Sequence, residues 1–294
     1  MRLKKRTGHC IAPAVLLLAV VCGGCATPPK GQPDALSERP GEGRVERLAR
    51  LRDAAADNPD NARTQYELAN ALFDLGIYTE AMQRYRRAIE LDPGFPDAYA
   101  NLGLTLRRAG RAGEAIQAYE RALAIHPDDP VTLRNALIAA QALQDTERVL
   151  DYTRRLVELE PDNTELEADL AGLYLRLRRF EEARTLYARR VKAGRASPED
   201  YLGLGQAHFY LEHWEKAEQA WNAGLDMDPN HGPMQRGLAV LYWTTGRYAA
   251  AWEQVRVCQQ LGVPLDPEFI AALAEDSGQS PPGESADAPH VGMP

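Results

Sequence analysis

The chain has 294 residues, 45% hydrophobic and 26% charged, enough apolar material for a buried core and too much for wholesale disorder. Its length suits two average domains or one long repeat array. Formal net charge is −8, and without the four cations Arg2, Lys4, Lys5 and Arg6 the balance is 30 against 42, or −12. Such a surface repels phosphate backbones and argues against a nucleic-acid partner.

Behind those basic residues, Ile11 to Cys22 (IAPAVLLLAVVC) form a twelve-residue apolar run. As a helix it would rise about 18 Å, short of the ~30 Å hydrocarbon core. The order basic, apolar, small is that of a secretory signal peptide, here residues 1–24. Cys22-Gly23-Gly24-Cys25-Ala26 resembles the bacterial lipobox, with Cys22 where leucine is usual. The resemblance implies a lipidated Cys25. With Ala rather than Asp at position 26, it also implies an outer-membrane anchor facing the periplasm. Ordinary cleavage after Ala26, giving a soluble periplasmic protein, is the alternative. Signal removal deletes Cys10 and Cys22, so once Cys25 is lipidated only Cys258 is left, on a helical apolar face. The remainder of residues 25–43, rich in Pro and Gly, reads as a flexible linker spanning about 23 Å.

Helical patterning begins at residue 44. Arg44 to Asp57 place Val45, Leu48, Leu51 and Ala55 on one side, a capping helix within residues 44–61. A period of 34 residues follows. Pro59, Pro93, Pro127, Pro161 and Pro229 keep it, with Arg195 at the missing beat. Ala81, Ala115, Val149, Ala183, Ala217 and Ala251 form a second column, and Leu68, Leu102, Ala136, Leu170, Leu204 and Leu238 a third. Six units run over residues 62–263 without insertion or deletion: 62–95, 96–129, 130–163, 164–197, 198–231 and 232–265. Each holds two amphipathic helices. Gly76, Gly110 and Gly246 stop first helices, and the proline closes the second. Asp266 and Pro267 open a C-terminal capping helix (266–275) that buries Phe269, Ile270 and Leu273. Residues 276–294 read as a disordered tail.

A large residue, then Leu-Gly or Leu-Ala, an aromatic, Ala, an aromatic, Ala and Pro, at fixed offsets in 34 residues, resembles the tetratricopeptide repeat. The resemblance implies an all-α fold, a right-handed superhelical α-solenoid of six helix pairs with flanking capping helices.

No phosphate-cradling loop and no nucleophile elbow occur, and the five serines fall in expected loops or tails. His208 and His213 are five apart, off the i, i+4 spacing of a zinc helix, and His208 sits in a core column with Leu72, Leu106 and Tyr242. Neither enzyme activity nor cofactor nor metal is expected. The basic run Arg189, Arg190, Lys192 and Arg195 reads as a solvated face.

The resemblance further implies a concave groove lined by first-helix side chains, among them Tyr66, Asn70, Phe73, Asn101, Arg108 and Arg134. Asn70 and Asn101 match positions that grip a terminal carboxylate in chaperone-binding members. Tyr66 replaces the expected lysine, and Val131 and Asn135 replace the basic pair, so that clamp is incomplete. The C-terminal half presents Gln206, Phe209, Tyr210, Arg236 and Trp243. Aromatics with an arginine have the composition of a peptide hot spot, unless some pack against the next helix. The function this implies is a scaffold for protein or peptide partners in assembly of a cell-envelope machine: a pilus, a secretion system or an exopolysaccharide exporter. The alternatives are a periplasmic adaptor or co-chaperone presenting proteins to a protease or chaperone and, further off, an accessory to a glycosyltransferase. A homo-oligomer is compatible with the sequence.

Overall fold

The computed structural model describes residues 41–279, and among these it has fourteen α-helices and no strand. The signal, Cys25 and most of the linker lie outside the described residues, as do residues 280–294. The helices are α1 (Arg44–Asp57), α2 (Ala62–Asp74), α3 (Tyr78–Leu91), α4 (Pro96–Arg108), α5 (Ala112–Ile125), α6 (Pro130–Ala142) and α7 (Thr146–Leu159), then α8 (Thr164–Arg176), α9 (Phe180–Lys192), α10 (Pro198–Tyr210), α11 (Trp214–Met227), α12 (Gly232–Thr244), α13 (Tyr248–Gln260) and α14 (Pro267–Ser277). Each packs against the next in sequence, and α2 also meets α4, α4 meets α6, α8 meets α10 and α10 meets α12. First helices therefore form one layer and second helices the other, the arrangement of an α-solenoid. No helix among the described residues is long and apolar enough to cross a membrane.

Local chemistry sets the boundaries. Side chains of Asn61, Asp129, Asp145, Asn163, Ser197 and Asp266 accept backbone N–H groups at the starts of α2, α6, α7, α8, α10 and α14. First helices end in a left-handed residue: Gly76, Gly110 and Gly246 at φ 74°, 77° and 72°. In the three middle units Gln144, Arg178 and Glu212 hold the same register at φ 56°, 58° and 60°. An L side chain there costs about 1–2 kcal/mol, sustained by the packed helices on either side. Where the repeat proline is missing, at Arg195 and Val263, α9 and α13 end at Gly194 and Gly262, both at φ 67°.

Between the layers, Tyr85, Tyr119, Tyr187 and Trp221 share one column of the repeat and are all buried. A Cβ on Gly103 would lie 2.6 Å from the Tyr119 ring, so only glycine admits the ring there. Ala115, at the start of the facing helix, has no exposed surface. The apolar interior divides into four clusters: α1 to α8, α8 to α11, α10 to α12, and α12 to α14.

Both end helices bury their inner faces, with two differences from expectation. Val45 is 71% exposed, because Leu48, Leu51 and Ala55 set the face that meets α2 and nothing covers the first turn of α1. The last helix runs two residues past Glu275, into the stretch read as tail. There Asp276 and Ser277 accept the indole N–H groups of Trp243 and Trp252 at 2.8 and 3.0 Å.

The basic run is not a uniformly solvated face. Arg190 is buried and donates to both carboxylate oxygens of Asp200 at 2.7 and 3.0 Å, and to the Thr164 carbonyl. Glu167 stands 3.7 Å away and also holds Arg189. Asp200 in turn accepts from the Ser197 backbone, closing a capping box. The column that contains Arg190 elsewhere holds Ala88, Ala122, Leu156, Gly224 and Cys258. A charged cluster thus replaces apolar packing where the repeat loses its proline.

Candidate functional site

The first-helix layer carries a polar network at its N-terminal end. Tyr85, reaching across from α3, donates its hydroxyl to Asn70 Oδ1 at 2.6 Å. Asn101 Nδ2 donates to the same oxygen and to the Tyr66 hydroxyl, both at 3.0 Å. The Tyr66 ring lies tilted against Phe95 at 4.8 Å, with the Arg63 guanidinium 5.3 Å from its centroid. Burial pushes the hydroxyls of Tyr66 and Tyr85 up from their ordinary range, so both stay protonated donors. The structure thus brings Tyr66, Asn70 and Asn101 together, and they bond mainly to one another. A cavity of about 320 Å³ remains beside them, lined by Arg47, Asn70, Phe73, Asp74, Tyr85, Asn101 and Leu104. Arg47 spans it, paired with Asp74 at 3.4 Å and Glu67 at 3.5 Å.

Farther along, Arg108 is exposed and makes no ion pair or hydrogen bond among the described residues. Arg134 is exposed but held by Glu160.

The C-terminal hot spot separates into two classes. Phe209 is half-buried, edge-on to Trp214 at 5.3 Å and tilted over Trp221 at 6.0 Å. Trp243 meets Phe269 edge-on at 5.5 Å and bonds Asp276. These two rings belong to the packing, Trp243 because the sixth unit's next helix is the cap α14 rather than another first helix. Tyr210 stays 56% exposed, stacked on Phe180 at 4.5 Å, and no ring contact joins it to Trp243. Arg236 is exposed without an ion-pair partner, and Gln206 is half-buried.

His208 and His213 meet across the α10–α11 turn, with Nδ1 atoms 3.4 Å apart. The left-handed Glu212 breaks the helix between them, which helical spacing alone does not reveal. Burial, then the charges of His213, Arg184 and Lys216, push His208 down to about 4. Sequence reasoning also missed two open clefts on the second-helix face, about 610 and 570 Å³. The larger is floored by Tyr152 and Leu123 and rimmed by Arg148, which binds Glu120 at 2.9 Å and Asp145 at 2.5 Å. Those partners sit 28 and 3 residues away, and the longer pairing has no signal in local pattern.

Comparison with known proteins places this geometry. Models described as TPR repeat or tetratricopeptide repeat match residues 69–110, 96–129, 137–207 and 202–257. Tetratricopeptide repeat protein 21B of Mus musculus is 28% identical over 121 residues, 41% of this chain and 9% of that protein. The structure of Naa15/Naa10 bound to HypK-THB superposes with a TM-score of 0.68 at 17% identity, covering 81% of this chain and 37% of that one. The crystal structure of YrrB, described as a TPR protein with an unusual peptide-binding site, has a TM-score of 0.48 at 22% identity, over 63% of this chain and 95% of that one. The chain therefore spans only a small part of the first two proteins, and the structural likeness is one of fold.

Proposed function

We propose that this chain, whose residues 69–129 and 137–257 are tetratricopeptide repeats, is a lipid-anchored scaffold holding protein partners in its concave groove. The observation that carries the reading is side chains in the groove that the fold does not consume. Arg108, Tyr210 and Arg236 are exposed and form no ion pair or hydrogen bond among the described residues, and a cavity stays open beside Asn70 and Asn101. Exposed arginine and tyrosine are the side chains on which binding energy concentrates. The placement in the outer membrane, facing the periplasm, rests on the basic-apolar-small order of residues 1–24 and on Cys25. Assembly of an envelope machine is the role that joins an anchor, a linker and a groove.

A photo-crosslinking residue at position 108, 210 or 236, with position 154 on the second-helix layer as control, tests the reading in the native cell. A discrete adduct of fixed stoichiometry at the groove positions alone is expected. Equal adducts at position 154 would overturn the groove, and a ladder of many substoichiometric adducts would favour the adaptor.

A further inference from the structure

First helices of neighbouring units meet, as α2 meets α4, but α3 and α5 do not pack against each other. The gap between them is the smaller cleft of the second-helix face, about 570 Å³. It runs along α5 from Glu114 to Ala124, a rise of about 15 Å or nearly three helical turns. Its floor is the flank of α4, where Tyr99, Leu102 and Leu106 lie, and Ala118 of α5 adds little bulk. The cleft is therefore a trough between two helices with an apolar base.

The charges on its rim are sorted. Glu114 is held by Arg111 at 2.6 Å and Glu120 by Arg148 at 2.9 Å, and neither of those arginines lines this cleft. The Arg111 bond keeps the Glu114 carboxyl below its ordinary range, an anion already matched. Arg86 on α3 and Arg121 on α5 do line the cleft, and both are exposed without ion pair or hydrogen bond among the described residues. In a chain of net charge −8, two uncommitted guanidiniums on facing walls set a local positive field over an apolar base. The cleft on the other side of α5 has a similar form and the opposite remainder. There Arg148 is engaged by Glu120 and Asp145, and Arg155 by the Pro127 carbonyl and Asp151. Glu147 is left exposed with no ion pair among the described residues. An anionic ligand is drawn to the first cleft and repelled by the second.

Side chains of one helix pack into the groove between others at interaxial distances of about 8–10 Å, so a helix suits such a trough. An extended strand would lay unpaired backbone groups on the apolar floor, whereas a helix satisfies them internally. We infer that the α3–α5 cleft docks an acidic amphipathic helix of a partner protein, its apolar stripe on the α4 flank and its carboxylates on Arg86 and Arg121. This surface lies on the opposite layer from the groove of the first helices, so either reading can fail without the other.

The probe is a labelled, stapled helical peptide with Ala and Leu on one face and Glu along both flanks, paired with a version carrying Lys in place of Glu. Fluorescence anisotropy with the full chain in detergent should show the Glu peptide bound about tenfold more tightly, the effect of two exposed ion pairs. Arg86→Glu with Arg121→Glu should invert that order at an unchanged melting temperature. Arg176→Glu with Lys192→Glu, the same charge change at exposed cations of α8 and α9, should leave the native order intact. Equal binding of the two peptides, binding of neither, or inversion by the control variant would each overturn the assignment. A proline-broken Glu peptide that binds as well as the stapled one would overturn the helix. Sedimentation of the chain alone tests one other occupant: self-association abolished by the Arg86 and Arg121 changes would give the cleft to a second copy and overturn the partner.

Discussion

Replacing Arg190 with leucine should cost about 3–5 kcal/mol, far more than its place in a basic run suggests. The side chain is 7% exposed and Asp200 3%, so truncation strands a carboxylate that water cannot reach. Two charge-assisted bonds to Asp200 and one to the Thr164 carbonyl vanish together, and an uncompensated buried charge accounts for most of the loss. The repeat itself supplies the control. One unit earlier the same two positions hold Leu156 and Leu166, so Arg190→Leu with Asp200→Leu restores the apolar pair of the preceding junction. That double variant should recover most of the loss, falling short by about 1 kcal/mol for the capping box that Asp200 closes at Ser197. Urea titration gives the free energies. Hydrogen exchange should place the damage in α8 to α10, since units couple mainly to neighbours. A loss under about 1 kcal/mol for the single variant, or a double variant as poor as the two singles summed, would refute the argument.

Cys25→Ser should block lipidation, leaving the protein uncleaved or shed in soluble form; a variant still extracted by detergent with the outer membrane would contradict the anchor. Gln144, Arg178 and Glu212 changed singly to glycine should each raise stability by about 0.5–1 kcal/mol, read from thermal melting, because the left-handed turn no longer carries a Cβ. His208 is pushed down to about 4 in the fold, so the unfolded chain binds its proton first as acid is added. The stability it contributes is whole above about pH 6.5 and drains as pH falls toward 4; His208→Leu, matching Leu72 and Leu106 in its column, should flatten that part of the pH profile. Ala115→Leu should cost about 1–3 kcal/mol, with exchange protection lost chiefly in α2 to α7.

The solenoid was legible because its evidence is periodic. Proline, alanine and leucine columns at one spacing specify helix, turn and helix, and glycines mark where rings enter. What stayed illegible is long-range and side-chain specific. Arg190 looks like its neighbours Arg189 and Lys192 in any local window, and its burial depends on Glu167 and Asp200, which lie on α8 and α10. Trp243 occupies a groove position of the repeat, but at the last unit the neighbour is α14, and Asp276 captures the indole. Tyr66, Asn70 and Asn101 could be placed on the groove from register alone. That they bond one another, and that Tyr85 joins them from the second layer, appears only once α2, α3 and α4 are packed.

The partition of the apolar interior also decides how the array would carry a mechanical load. Helices α1 to α8 share one continuous cluster, a stiff arm of about half the described length. Beyond it the interior is carried by three smaller clusters, which overlap their neighbours at α8, at α10 and α11, and at α12. Interdigitated apolar side chains resist sliding within a cluster, and the directed Arg190–Asp200 bonds clamp α9 to α10 locally. Pulled from its two ends, the array would therefore deform at the junctions between clusters before the long arm gave way.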